Sequence, residues 1–252
     1  MLAKDTSPSI SQSKQNLHQY GDSQFTFERL SNDNFDEAAF LLSKIFSERE
    51  VIDIIVELPF EEQLSFVQTG KDSWISQNLS WVIKDQDNKV VGIMLNEDKN
   101  IVAIDSPPSP KVIKIYDVMQ QAYNLVDNSQ IIEENKGVIG AQFHLLMVAV
   151  DDKCKGMKLC EKLIEISIQD AAEKGFQEIF SECTSPGSAY VMEKKLGFKP
   201  ISVLPYEALF KELNSSQEIR DFATMMFREE QPALKIQYLR LSPQEKKVID
   251  SI

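Results

Sequence analysis

The sequence predicts an α/β fold with α+β character, an open sheet covered by helices, and three observations lead there. Residues 142–150 are continuously apolar enough to form a strand in the middle of a sheet. An amphipathic helix follows over 156–174, with Leu159, Cys160, Leu163, Ile164, Ile168 and Ala171 on one stripe and a stop at Gly175. A strand at 176–183, a helix running to Leu196 and a strand at 198–203 then repeat the alternation that open, helix-covered sheets require. At 252 residues and 42% hydrophobic content the chain can bury a proper core as one large or two small domains.

The elements follow in order. Residues 1–23, rich in Ser, Gln, Lys and Asp with few apolar anchors, read as a disordered tail. Residues 25–30 alternate, with Phe25, Phe27 and Arg29 on one face of a first strand. Ser31 offers a cap for a helix carrying Phe35, Ala38, Ala39, Leu42, Ile45 and Phe46. A second helical stretch, 51–69, breaks at Leu58-Pro59 because proline lacks a donor and restricts its predecessor. Residues 79–84 and 89–95, joined by Asp85-Gln86-Asp87-Asn88, form a hairpin. Ser106-Pro107-Pro108-Ser109-Pro110 interrupts the chain; 112–126 reads as a helix and 128–140 as a helical piece plus loop. Ser185-Pro186 supplies a cap and a first-turn proline, and Gly197 ends that helix. Residues 206–231 are helix and loop, 234–241 a last strand, and 242–252 a tail. The predicted organisation is one domain over 24–241 with an insertion near 97–139.

Composition narrows the function. A net charge of -12 disfavours nucleic acid, whose phosphates reward basic surfaces, and favours cationic partners. The apolar runs are too short to span a bilayer and the first residues lack the apolar core of a secretory signal, so a cytoplasmic, membrane-free protein is expected. Three cysteines and two histidines without ligand spacing support neither a disulfide framework nor a metal site. Against this acidic background Lys153, Lys155 and Lys158 gather around Gly156, where a strand turns into a helix. The first amides of a helix have no intrahelical acceptor and sit at the positive end of its dipole, so this turn is an anion cradle suited to a phosphorylated ligand. A plain solvated basic turn is the alternative.

The order of elements, with Val148-Ala149-Val150-Asp151-Asp152 leading into Lys155-Gly156-Met157-Lys158-Leu159-Cys160 and a later Lys195-Leu196-Gly197-Phe198, resembles the GNAT superfamily of acyl-CoA-dependent N-acetyltransferases over residues 25–241. Within it the chain is most similar to the invertebrate-type arylalkylamine N-acetyltransferases, through Phe46 and Glu50, Cys183-Thr184 and Ser188, and Pro205-Tyr206. The resemblance implies a mixed sheet of about seven strands with a splayed central pair and helices on both faces. It implies acetyl-CoA as co-substrate, no metal, a small primary amine as acceptor, and direct attack in a ternary complex; it leaves the oligomeric state unknown. The family's pyrophosphate loop carries Gln or Arg, two residues, Gly, one residue, then Gly or Ala, where this chain has Lys155, Lys158 and Cys160. That departure keeps a second reading open, a non-catalytic GNAT-like module that binds acyl-CoA or regulates.

By the same resemblance, Glu50 is the first candidate for the base that deprotonates the amine and His144 the second. Val148, Ala149 and Val150 offer backbone donors for the carbonyl, and Lys153, Lys155, Gly156, Met157, Lys158, Leu159 and Cys160 hold the phosphates. Tyr190 stands one turn before the family's proton-donating tyrosine, whose own position holds Glu193; Ser185 and Ser188 can hold a water or the pantetheine arm. Phe46 and Tyr206 belong beside the acceptor. Each has an ordinary alternative: Glu50 as a solvated helix-end charge, His144 as a hydrogen-bonded core residue, Ser185 as a cap, Tyr190 and Tyr206 as packing. An acyl-enzyme on Cys183 would need a lowered thiol pKa, and nothing adjacent in sequence provides it. Asp36, Glu37, Glu48, Glu50, Asp53 and Glu57 make the acceptor side acidic, and an interaction role for the 97–139 insertion is a third possibility.

Overall fold

Seven strands form one mixed sheet in the order β1-β2-β3-β4-β5-β7-β6 in the computed structural model, which describes residues 24–101, 107–213, 216–226 and 233–241. The two predicted tails lie outside these residues. The first half of the sheet is an antiparallel meander: β1 (Thr26–Arg29), β2 (Trp81–Lys84), β3 (Val90–Asp98) and β4 (Gln142–Val150). The second half, β5 (Glu178–Cys183), β6 (Lys199–Pro205) and β7 (Ala233–Arg240), is antiparallel within itself and meets β4 in parallel.

Between β1 and β2 lie α1 (Phe35–Arg49), α2 (Val51–Ile55), α3 (Phe60–Thr69) and α4 (Lys71–Gln77). The Leu58-Pro59 break falls where the sequence places it. Ser31, however, is not the cap of α1. Asn34 occupies that position and turns its side chain backwards, accepting from Ser31 N at 2.9 Å and donating to the Arg29 carbonyl at 3.0 Å. α5 (Pro110–Asn124) starts at Ser109, whose hydroxyl accepts from Val112 N. α6 (Leu159–Glu173) begins with its apolar stripe, three residues later than the predicted start at 156, because Lys158 takes a left-handed conformation, φ 58° and ψ 21°, that a helix cannot contain. α7 (Pro186–Tyr190) is capped by Ser185 and continues as a π-helical turn, Val191–Lys195, ending at left-handed Gly197. α8 (Tyr206–Glu212) and α9 (Gln217–Met226) precede β7.

Both faces of the sheet are covered. α6 packs Leu163, Ile164 and Ile168 against Ile83, Phe143, Leu145 and Ile179 on one face. On the other, α1 sets Leu41 and Leu42 on Ile93, Leu95 and Ala149, while α2, α5 and α8 cover Phe180 and Ile236. No helix among the described residues is long and apolar enough to cross a membrane.

The centre of the sheet is incompletely paired. β4 joins β5 at Gln142↔Glu178, Phe143↔Ile179 and His144↔Phe180, and the two strands part beyond His144. On its other edge β4 stays paired with β3 as far as Gly92↔Val150, with a bulge at Leu146 that shifts the register between Leu95 and Asn96. This is the splayed pair that the resemblance implies.

Candidate active site

A cavity of about 770 Å³ opens where β4 and β5 diverge. α1 and α2 wall it with Phe46, Glu50 and Asp53, α3 with Gln63 and Phe66, α5 with Val112, Tyr116, Met119 and Tyr123, and the parted strands with His144 to Val148 and Ser181 to Thr184. The segment after the Ser106–Pro110 break therefore supplies a wall of the cavity.

Strand geometry fixes which β4 amides face the gap. Asp151 N–H bonds the Val91 carbonyl at 2.9 Å, so it points toward β3. Because N–H direction alternates along a strand, Ala149 and Met147 point the same way, while Val150 and Val148 point to the side from which β5 has departed. Of the three predicted carbonyl donors, Val148 and Val150 have the right orientation and Ala149 bonds into the sheet.

Glu50 stands between α1 and α2, where its Oε2 accepts from Asp53 N at 2.8 Å as the cap of α2. Its other oxygen, Oε1, and Asp53 Oδ2 are buried without a hydrogen-bond partner. Burial raises the Glu50 carboxyl above the ordinary carboxylate range, partly offset by the Thr184 hydroxyl and nearby backbone amides. Burial first, and then the Glu50 charge, push Asp53 up to about 9. Of the six acidic residues expected on this side, only these two line the cavity; Asp36 pairs with Lys71 outside it.

His144 is held at both ring nitrogens, Nδ1 donating to Glu97 Oε1 at 3.0 Å and Nε2 to Glu182 Oε2 at 2.6 Å. Burial disfavours the imidazolium, but the two carboxylates, Glu182 foremost, overcome it and raise His144 to about 9. Glu182 is correspondingly lowered, burial notwithstanding, by His144, Lys99 and Tyr123. Tyr123 donates to Glu182 Oε1 and accepts from Lys99 Nζ at 2.7 Å; Trp74 Nε1 donates to Glu97 Oε2 at 3.2 Å. Gly70 makes room for that indole, since a Cβ there would lie 2.5 Å from the Trp74 ring. An imidazole that is protonated and donating on both sides has no lone pair for an amine, so the geometry removes His144 as the base and makes it the centre of an ion network.

The basic turn has the expected shape. Gly156 is left-handed at φ 83°, Lys158 likewise at 58°, and no side chain caps α6, which leaves the amides at Leu159 and Cys160 directed out of the helix end. Lys153, Lys155, Gly156, Met157 and Lys158 are exposed, and Leu159 is buried. Lys153, Lys155 and Met157 spend their amides on Asp151, Asp152 and Cys154. The Cys160 thiol is pushed up to about 11 by burial. Arg49, at the end of α1, pairs with Asp152 and ties the cavity wall to this turn.

Other expectations divide. Phe46 lines the cavity, as do Ser185 and Ser188, whose hydroxyls lie 3.0 Å apart. Tyr190 is 59% exposed on the outer side of α7, outside the cavity lining, because the helix register turns it to solvent. Glu193, in the family's tyrosine position, accepts from Lys235 and Gln237 as a structural anchor. Tyr206 is fully buried, donates to the Thr184 carbonyl at 2.8 Å and stacks on Phe210, so it supports the wall from behind. Cys183 is buried against Met192 and its thiol is pushed up to about 12 by burial, which sets it against nucleophilic use. Sequence reasoning missed Glu97, Lys99, Tyr123, Glu182 and Trp74. Only the burial pattern of a known register could have found them; Asp53 carried a signal in its three-residue spacing from Glu50.

No protein-family model matches the sequence, and no curated protein does. Solved structures do. The C-terminal condensation domain of Ebony in complex with beta-alanyl-dopamine superposes with a TM-score of 0.69 at 14% identity, over 86% of this chain and 99% of that one. Arylalkylamine N-acetyltransferase 2 from Aedes aegypti gives 0.66 at 22% over 86% and 99%, and putative arylalkylamine N-acetyltransferase 7 from the same mosquito 0.63 at 16% over 86% and 88%. The chain has the GNAT fold.

Proposed function

We propose that this chain is an acetyl-CoA-dependent N-acetyltransferase that acetylates a small primary amine by direct attack, with both reactants bound together. The observation that carries the reading is a buried, proton-avid carboxyl, Glu50, with an unpartnered oxygen in a cavity that opens onto a parted β4–β5 pair. The fold is one whose similar structures include N-acetyltransferases. The acceptor class in their names, arylalkylamines, suits a wall containing Phe46, Phe66, Tyr116 and Tyr123.

When bound, acetyl-CoA would supply an acetyl group activated as a thioester. The uncapped start of α6, with Gly156 and Lys158 both left-handed, fits a diphosphate through main-chain amides, and the Lys153, Lys155 and Lys158 ammonium groups add charge. Val148 N–H, and Val150 N–H beside it, face the gap where a carbonyl oxygen would gain charge. Glu50 takes a proton from the amine nitrogen. Alkylammonium groups have pKa values on the order of 10, so a carboxylate whose pKa is raised accepts from them better than an ordinary one. Ser188, whose side chain lines the cavity, is the residue we assign to pass a proton to the departing sulfur.

Thiol release from acetyl-CoA across a panel of arylalkylamines, agmatine and polyamines tests this. The expected result is turnover of at least one arylalkylamine. Glu50→Gln should lower kcat/KM by about 10²–10⁴-fold with acetyl-CoA affinity unchanged. Lys158, which puts a side chain where the family has glycine, favours a second reading in which acyl-CoA binds without turnover. Calorimetric heat with no thiol release would establish that one, and no heat at affinities tighter than about millimolar would overturn both.

A further inference from the structure

Asp53 is absent from the family pattern behind the readings above, yet it shares the peculiarity of Glu50. Each carboxyl has one oxygen buried in the cavity wall with no partner, and the two residues sit across the first turn of α2, joined by the bond from Asp53 N to Glu50 Oε2. That bond fixes the glutamate side chain beside its neighbour, and after burial the Glu50 carboxyl is what raises Asp53. Two carboxylates in contact within a low-dielectric site do not both ionise.

We propose that Asp53 is the positioning residue for Glu50: the pair holds one proton between its two carboxyls, presents a single negative charge, and offers its two unpartnered oxygens to one primary alkylammonium. The proton on Asp53 leaves Glu50 as the member that ionises. An arriving ammonium loses an N–H proton to Glu50, an O–H bond forms there, the nitrogen keeps its electron pair, and the dyad becomes neutral. The site is thus matched to a monocation.

Among the described residues, the groups around this pair are neutral or engaged elsewhere. On α1, Arg49 is turned to Asp152 and Glu48 is exposed; α3 contributes the neutral Gln63. The end of β5 brings the Cys183 thiol and the Thr184 hydroxyl, and α8 brings Tyr206, whose phenol is raised by burial and then by the Glu50 charge. α9, packed on α2, carries Glu218, Arg220 and Asp221; Arg220 donates to the Phe210 carbonyl and Asp221 accepts from Gln217. Burial raises both carboxyls, Asp53 to about 9.

This inference takes its chemistry from the acetyltransferase reading, but its first test does not need activity. In the full ligand-free chain labelled with ¹³C at Asp and Glu carboxyls, one resonance should keep its proton past neutrality and titrate near 9, and that step should vanish in Asp53→Asn. A wild-type chain in which every carboxyl has titrated by about pH 5 overturns the proposal, as does a high step that persists in Asp53→Asn. In kinetics, Asp53→Asn should lose the alkaline step, move the acid limb of kcat/KM to higher pH, and drop roughly tenfold at neutral pH, one unit of proton affinity. An unchanged profile shape with lowered thermal stability would mean a merely structural residue. Should Asp53→Asn fail to fold, the wild-type titration decides alone. The high step in a chain that acetylates nothing overturns only the acetyltransferase reading, and turnover without that step overturns only proton sharing.

Discussion

Lys158 holds a left-handed backbone that costs an ordinary residue about 1–2 kcal/mol, at the position where the related loops have glycine. Lys158→Gly should therefore stabilise the domain by about 0.5–1 kcal/mol, the gain being trimmed by glycine's larger freedom when unfolded. Its affinity for CoA should fall a few-fold, because an ammonium leaves the diphosphate end. Thermal unfolding and calorimetry on one variant then move in opposite directions. His144→Gln should cost about 3–5 kcal/mol in chemical denaturation, since Glu97 and Glu182 would face each other without the cation between them. Single residues were legible in the sequence where chemistry depends on local geometry: Gly156 and Ser185 stand where a turn and a cap need them, whereas the capping of α2 by Glu50 was not foreseen. Roles set by distant partners were not. Nothing near His144 in sequence announces carboxylates 47 and 38 residues away.

At the scale of elements, periodicity served where an element has several turns. The stripe of α6 and the apolar run of β4 were visible because Leu159, Leu163, Ile164, Ile168 and Ala171 recur at helical spacing and are all buried, and β4 is sheltered on both faces. The seven-residue α4 was not, with Trp74 as its buried anchor and too few turns for a pattern. α5 was recognised as a helix, but its service as a cavity wall depends on packing against β6 and β7 that no local signal encodes. Because Met119 faces the cavity from α5, Met119→Trp should fill acceptor space without touching the α6 end. The expected outcome is an acceptor KM raised roughly tenfold or more with CoA affinity unchanged, read by initial rates and calorimetry. Parallel losses in both would mean that α5 frames the whole cleft.

The molecule as a whole keeps protons that its unfolded chain would release. His144 is raised from 6.5 to about 9 and Asp53 from 3.8 to about 9. For both, the folded form binds more protons, so the His144 contribution is complete below pH 6.5 and disappears as pH climbs through 9, while that of Asp53 shrinks throughout the interval from 3.8 to 9. Glu182 acts oppositely, its share being lost as pH falls below 4.5. Stability should peak on the acid side of neutrality and fall between pH 6.5 and 9, by up to about 1.4 kcal/mol per pH unit for each retained proton. Urea unfolding at pH 6 and pH 9 checks it, and His144→Gln should flatten the slope.

The seam between β4 and β5 carries a further consequence. Three residue pairs knit the halves of the sheet together before the strands separate, so the protein stops short of stitching itself shut along its own middle. A guest lying in that opening would bond to both lips at once and act as the missing thread. Bound protein should then be the slower of the two to yield to proteases and to exchange the Val148 and Val150 amides, with the gain spreading outward from the centre.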